Sequence, residues 1–358
     1  MKITTPLGEK LGLRLPLIQA PMAGGPTTPE LVAACSAAGA LGSFGFAYTT
    51  PEEMKRQSAF VRSKTDRPFG INLFVCAQPA PVAEAGQSAA LEALSAYYRE
   101  LALPAPEPVK APYAPDLQAQ LAAVEEIRPR VFTVHLGSIP AERFQRLGIL
   151  VGGSANCVAE ARNLESLGYD FVIAQGGEAG GHRGSYLRDP YESLTGTLAL
   201  TRLIVRAVRI PVIASGGIMD GAGIAASLAL GAQAAQLGTA FIPCDESGAA
   251  PVYKRALLAA REDDTRITEK FSGKPARGLA NRFMKEMANA PQLPFPAQGG
   301  LTGKLRAASG KAGKPDFVAM WAGQAVPLAR QMPAAELIRA LEEETLAALK
   351  AGAALIKE

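Results

Sequence analysis

Eight short runs that are apolar from end to end, helical patterns between most of them, and two long Pro-rich interruptions predict a (β/α)8 TIM barrel with a substrate-binding subdomain. The interruptions each follow a strand, which places both at the C-terminal mouth of the barrel. At 358 residues, the chain holds one barrel of roughly 250 residues plus about 110 in additions.

The runs, in chain order, are LPLIQAP, LGSFGF, PFGINLFV, VFTVHL, GILVGGS, FVIAQG, PVIASGG and AAQLGTAF. None alternates apolar with polar, so each suits a parallel sheet buried on both faces. Between them, TPELVAACSAAGA opens with Thr28 as cap and Pro29 in its first turn, and CVAEARNLESLG ends on glycine. TGTLALTRLIVRAV and GAGIAASLALG repeat the pattern, and PAAELIRALEEETLAALKAG closes it. The uncharged stretch from Gly221 to Cys244 reads as a helix followed by a strand, because Gly231, Gln233, Gln236 and Gly238 interrupt it. An open doubly wound sheet is the alternative fold. The barrel is expected at 1–76, 116–247 and 316–358, with insertions at 77–115 and 248–315 forming the substrate-binding lid.

The composition, 48% hydrophobic and 20% charged, is ordinary for a globular protein. A net charge of +4 is spread over 37 basic and 33 acidic residues without a basic block, which argues against nucleic-acid and membrane partners. Cys35, Cys76, Cys157 and Cys244 are scattered and form no CxxC pair, so reduced thiols and a cytoplasmic location are expected. The N-terminal segment lacks the apolar core of a signal peptide. No Asp/Glu/His cluster has metal-ligand spacing, so no metal is expected.

Chemistry points to GGEAGGHRG, from Gly176 to Gly184, where five glycines in nine residues surround His182, one of two histidines. Such a loop lets its backbone approach a ligand while presenting a group that exchanges protons near neutral pH. His135, inside VFTVHL, reads as an ordinary strand residue. The seventh strand ends in ASGGIMDG and the eighth in QLGTA, bringing Gly216, Gly217, Gly238 and Thr239 to the corner where barrels commonly bind phosphate. QAPMAGG, Asn72 and Gln175 add polar and backbone groups at the same mouth. A flat phosphorylated cofactor such as FMN fits, with Met22 either against a ring face or filling the core.

At these residues the sequence resembles the nitronate monooxygenase family, from QAPMAGG through GGEAGGHRG and FSGKPARGLANRF to WAGQ. The resemblance implies an FMN-dependent barrel that oxidises alkyl nitronates such as propionate 3-nitronate with dioxygen, yielding a carbonyl compound and nitrite. It makes His182 catalytic, as general base or hydrogen-bond donor, and places FMN contacts on Pro21, Met22, Asn72, Gln175, Gly180, Gly217, Gln236, Gly238 and Thr239. Tyr113 and Tyr253 resemble residues lining the substrate pocket, and Arg183 and Lys304 would attract an anion. This chain departs from the family in PQLPFPAQGGLTGK, which lacks the family's further pocket tyrosines and offers Phe295 as an apolar wall. Two other readings stand: an FMN-dependent NAD(P)H reductase acting on enoyl-acyl carrier protein or quinone, and a flavin-free phosphometabolite lyase, isomerase or binding protein. Oligomeric state is not legible.

Overall fold

The computed structural model describes residues 3–76 and 79–356; the first two positions of the expected first insertion, 77–78, lie outside the described residues, as do 1–2 and 357–358. Each of the eight apolar runs contains a strand: Leu17–Gln19, Gly42–Gly45, Phe69–Phe74, Val131–His135, Leu150–Ala155, Phe171–Gln175, Val212–Ser215 and Ala234–Leu237. All pair in parallel with their chain neighbours, and the first also pairs with the eighth through Leu17↔Ala235. A bridge between Ile18 and Leu41 closes the ring, with the Gln19 amide donating to the Leu41 carbonyl at 2.9 Å and the Leu41 amide to Leu17 at 3.0 Å. Among the described residues the eight-stranded sheet has no open edge, so the open doubly wound alternative is excluded.

The interior is packed with side chains. Ile18, Leu41, Val131, Leu150, Phe171, Ile173, Ile213 and Ala234 meet inside, and Leu7, Leu11 and Leu13 join them from below. A short helix, Pro6–Lys10, capped by the Thr5 hydroxyl on the Gly8 amide at 3.1 Å, carries Leu7 into that plug. Outside, helices Pro29–Ala37, Pro51–Lys64, Leu117–Ile127, Val158–Ser166, Thr197–Ala207 and Gly221–Ala229 cover the strands. The closing helix, Ala334–Ala353, lays Leu337, Ile338 and Leu341 into a cluster with Ile224, Leu17 and Leu31.

Two features differ from the sequence expectation. The eighth strand stops at Leu237, since Gly238 takes φ −107° and ψ −68° and turns the chain into a 3-10 helix at Thr239–Phe241. A second, antiparallel sheet joins Thr265–Thr268, Ala276–Leu279 and the two-residue strand Gly181–His182. The histidine loop is therefore stapled to the chain that follows the eighth strand. There, Phe271, Phe283, Leu301 and Phe317 share an apolar cluster with Ala90, Leu94 and Tyr97 from the segment after the third strand.

Among the described residues, no helix is long and apolar enough to cross a membrane, and no group of three or more His, Cys, Asp or Glu could hold a metal ion. The four cysteines are unpaired.

Phe171 fills the barrel only because Gly152 faces it: a Cβ there would stand 2.1 Å from the ring. Gly152→Ala is expected to cost roughly 1–3 kcal/mol by overpacking, and G152A/F171L to recover part of that loss. Urea unfolding of the natural chain and the two variants checks it.

Candidate functional site

A cavity of about 710 Å³ opens at the C-terminal ends of the strands, within the roughly 300–1,000 Å³ usual for small-molecule sites. Pro21, Met22, Asn72, Gln175, Gly180, Gly216, Gly217, Gln236, Gly238 and Thr239 all line it, as do His182, Tyr113 and Tyr253. The structure thus gathers into one space residues that the sequence spreads over more than two hundred positions.

One corner is a cradle of backbone amides. Among the described residues, none accepts a hydrogen bond from the N–H of Gly217, Ile218 or Gly238. Gly216 and Gly217 hold φ at +118° and +68°, where a side chain is strained, and a Cβ on Gly217 would stand 2.8 Å from the Glu178 carboxylate. Helix Gly221–Ala229 does not add its N-terminus here: its Gly221 and Gly223 amides already donate to Glu344 and Asp220 at 2.9 and 2.8 Å. Thr239 ties the corner to the WAGQ segment by accepting from the Gly323 amide at 3.0 Å. Unpartnered amides at a concave mouth suit a phosphate, and the neighbouring wall of Met22, Ala20, Ile173 and Gln236 suits a flat ring.

His182 is fixed from two sides. Its main-chain carbonyl accepts from His135 Nε2–H at 3.1 Å and from Gln175 Nε2–H at 3.0 Å. Those donors are themselves held: His135 Nδ1 accepts from the Ser154 hydroxyl at 2.8 Å, and Gln175 Oε1 accepts from Asn156 at 2.9 Å and the Gly184 amide at 2.9 Å. The imidazole sits among Phe74, Phe295 and Trp321, with ring centroids 5.5 to 5.6 Å away. Its Nε2 lies 2.9 Å from Ser272 Oγ, while Nδ1 has no partner among the described residues. Burial, then the charges of His135, Lys274 and Arg306, push the His182 pKa down to about 3. At neutral pH the imidazole is uncharged.

His135, expected to be an ordinary strand residue, lines the cavity and props the catalytic candidate. Nothing in VFTVHL marks it, because its partner lies 47 residues away. Ser272, inside FSGKPARGLANRF, was equally silent.

Two charged candidates are corrected. Lys304 lies on the outer face of helix Ala297–Lys311, exposed and paired with Glu107 at 3.3 Å, away from the cavity. Arg183 is fully buried behind the loop, where its guanidinium donates to the carbonyls of Gly176, Gln175 and Ser193. It braces backbone and does not line the cavity. Arg306 instead lines the cavity. Tyr113 lines it while its hydroxyl accepts from the Val82 amide at 2.9 Å, and buried Tyr253 donates to the Trp321 carbonyl. Phe295 forms the apolar wall against Phe74 and His182. Glu178 orients the loop, its carboxylate accepting from the Thr197 amide at 3.0 Å.

The chain matches the family model described as nitronate monooxygenase over residues 6–344. It is 43% identical over 343 residues to the nitronate monooxygenase of Paraburkholderia phytofirmans, covering 93% of each chain. Among solved structures it is similar to nitroalkane oxidase from Streptomyces ansochromogenes, at 39% identity and a TM-score of 0.88 over 96% of this chain and 99% of that one. FabK from Thermotoga maritima is similar at 28% identity and a TM-score of 0.78, over 99% and 100% of the two chains.

The two histidines make folding pH-dependent. Burial also holds His135 down, at about 4, against an ordinary imidazole value near 6.5. Below about pH 6.5 the unfolded chain takes up protons that the folded chain refuses, so stability is full above that pH and falls on acidification. The loss is at most about 1.4 kcal/mol per pH unit for each histidine down to its folded value. Urea unfolding at pH 7 and pH 5 should show a steeper loss for the natural chain than for H135Q/H182Q; equal losses contradict it.

Proposed function

Because the chain belongs to the nitronate monooxygenase family of oxidoreductases, we propose that it oxidises alkyl nitronates of the propionate 3-nitronate type with dioxygen, using FMN, to a carbonyl compound and nitrite. One observation carries this reading: a single cavity runs from the unpartnered amides of Gly217, Ile218 and Gly238 to the imidazole of His182. The amides would hold the FMN phosphate. Pro21, Met22, Asn72, Gln175, Gly180 and Gln236 would hold the ring between that corner and His182. When bound, the flavin supplies the electron acceptor and the reaction with dioxygen.

The remaining chemistry belongs to the chain. An imidazole whose pKa is pushed down to about 3 by burial is a weak base. His182 therefore acts as a hydrogen-bond donor in the tautomer protonated at Nδ1: Nε2 then accepts from the Ser272 hydroxyl, which in this tautomer turns from the Lys274 carbonyl, and Nδ1–H would meet an oxygen of the nitro group. The clamp on its carbonyl holds that N–H in register, and Phe74, Phe295 and Trp321 exclude water around it. The insertions at 77–115 and 248–315 contribute Tyr113 and Tyr253 to the substrate side.

The purified protein should be yellow, and anaerobic addition of a nitronate should bleach it. Bleaching by NAD(P)H and not by a nitronate would favour the reductase, and a colourless protein that cannot be reconstituted with FMN a flavin-free lyase or binding protein. His182→Asn should retain flavin and lose roughly 10²- to 10⁴-fold in kcat/KM, read by oxygen uptake. Gly217→Val should instead purify with little flavin, read by the absorbance ratio of flavin to protein.

A further inference from the structure

A second concavity, of about 570 Å³, runs along strand Thr265–Thr268 and shares no lining residue with the mouth cavity. Arg266, Ile267, Glu269 and Lys270 line it from the strand and the turn that follows, and Met284 and Lys285 from helix Arg282–Glu286. Its volume lies in the range of small-molecule sites.

The strand brings an open sheet edge to this groove. The Leu279 amide donates to the Met320 carbonyl at 2.8 Å and the Arg277 carbonyl accepts from the Ala322 amide at 3.2 Å, so both residues turn their main chain away from Thr265–Thr268. Thr265 and Ile267, opposite them in the antiparallel ladder, therefore turn theirs outward. Among the described residues no strand follows on that side, and the N–H and C=O of Ile267 take no partner there.

Charge is out of balance in the lining, with three cations against one carboxylate. Glu269 is already answered, by the Gln292 side-chain amide at 2.8 Å and by the Tyr191 hydroxyl that faces it. The neighbouring acids are matched as well: Asp263 and Asp264 pair with Arg261 at 3.8 and 3.2 Å, and Glu286 with Arg282 at 2.8 Å. Lys270 donates to the Ala290 carbonyl at 2.9 Å and Arg266 to the carbonyls of Asp263 and Thr265 at 2.6 and 2.8 Å, bonds that leave both charges uncancelled. Lys285 has no ion-pair partner among the described residues. Beside these cations, Ile267 and the buried Met284 offer apolar surface.

We propose that this groove is a second binding site, which takes a small organic anion with an apolar body, its acid group between Arg266 and Lys285 and its chain on Ile267 and Met284. The volume fits a free small molecule, whereas a protein partner needs several hundred Å² of face on each side. The groove shares a sheet with the catalytic loop, Thr268, Ala276 and His182 forming one row, yet its occupant stays outside the mouth.

The test is isothermal titration calorimetry of the full chain as purified with sodium octanoate, beside octanamide, which lacks the charge, and sodium acetate, which lacks the chain. Octanoate is expected to bind at least about fivefold more tightly than octanamide, and more tightly again than acetate. The double charge reversal R266E/K285E should weaken octanoate roughly tenfold or more and leave octanamide within about twofold. R266Q/K285Q, which only removes the charges, should show a smaller loss in the same direction, and it carries the comparison if the urea midpoint shows that the reversal has failed to fold. No octanoate binding, equal affinity for octanamide, or undiminished octanoate affinity in the folded variants would overturn the site, the last by placing the anion elsewhere, the mouth cavity included.

Discussion

The clamp on the main-chain carbonyl of His182 is the constraint on which the site depends. Two donors from the fourth and sixth barrel strands, His135 and Gln175, converge on that one oxygen. Both are held in turn by the fifth-strand Ser154 and by Asn156 just beyond it. A carbonyl accepting two hydrogen bonds in a partly buried setting cannot rotate without orphaning both donors. The imidazole is therefore aimed by the barrel itself, and the small antiparallel sheet pairing His182 with Ala276 adds a second fix from the far side. This gives a rigid barrel and an added segment joint control of one side chain.

Electrostatics follows from the same geometry. Closing the barrel leaves amides at the strand ends without sheet partners, and the chain's glycines keep them uncovered at the seventh and eighth strands. Positive character accumulates at the mouth, through those amides and Arg306, with no lining carboxylate to cancel it. A half-buried histidine held there stays uncharged at neutral pH. The site is built to receive negative charge and hold it out of water.

Much of this was legible in the sequence, for identifiable reasons. Parallel strands covered on both faces must be apolar throughout, so all eight runs could be read directly, and glycines at adjacent strand ends exposed the phosphate corner. What escaped was long-range or very short. A two-residue strand such as Gly181–His182 has no period to detect. His135 looks like filler because its partners are distant in sequence. Lys304 and Arg306 differ by two positions on one helix, roughly 200° of rotation, so choosing between them needed the helix's orientation. Arg183 adjoins the histidine, yet adjacent residues on an extended strand point to opposite faces, and it turned inward to bind backbone.

The most direct measurement is a crystal structure of the protein with its flavin bound. The phosphate is predicted to lie on the amides of Gly217, Ile218 and Gly238, with the ring edge beside the imidazole of His182 and Ser272 still at Nε2. A phosphate bound elsewhere, or a His182 side chain turned out of the cavity while the barrel stays intact, would contradict it.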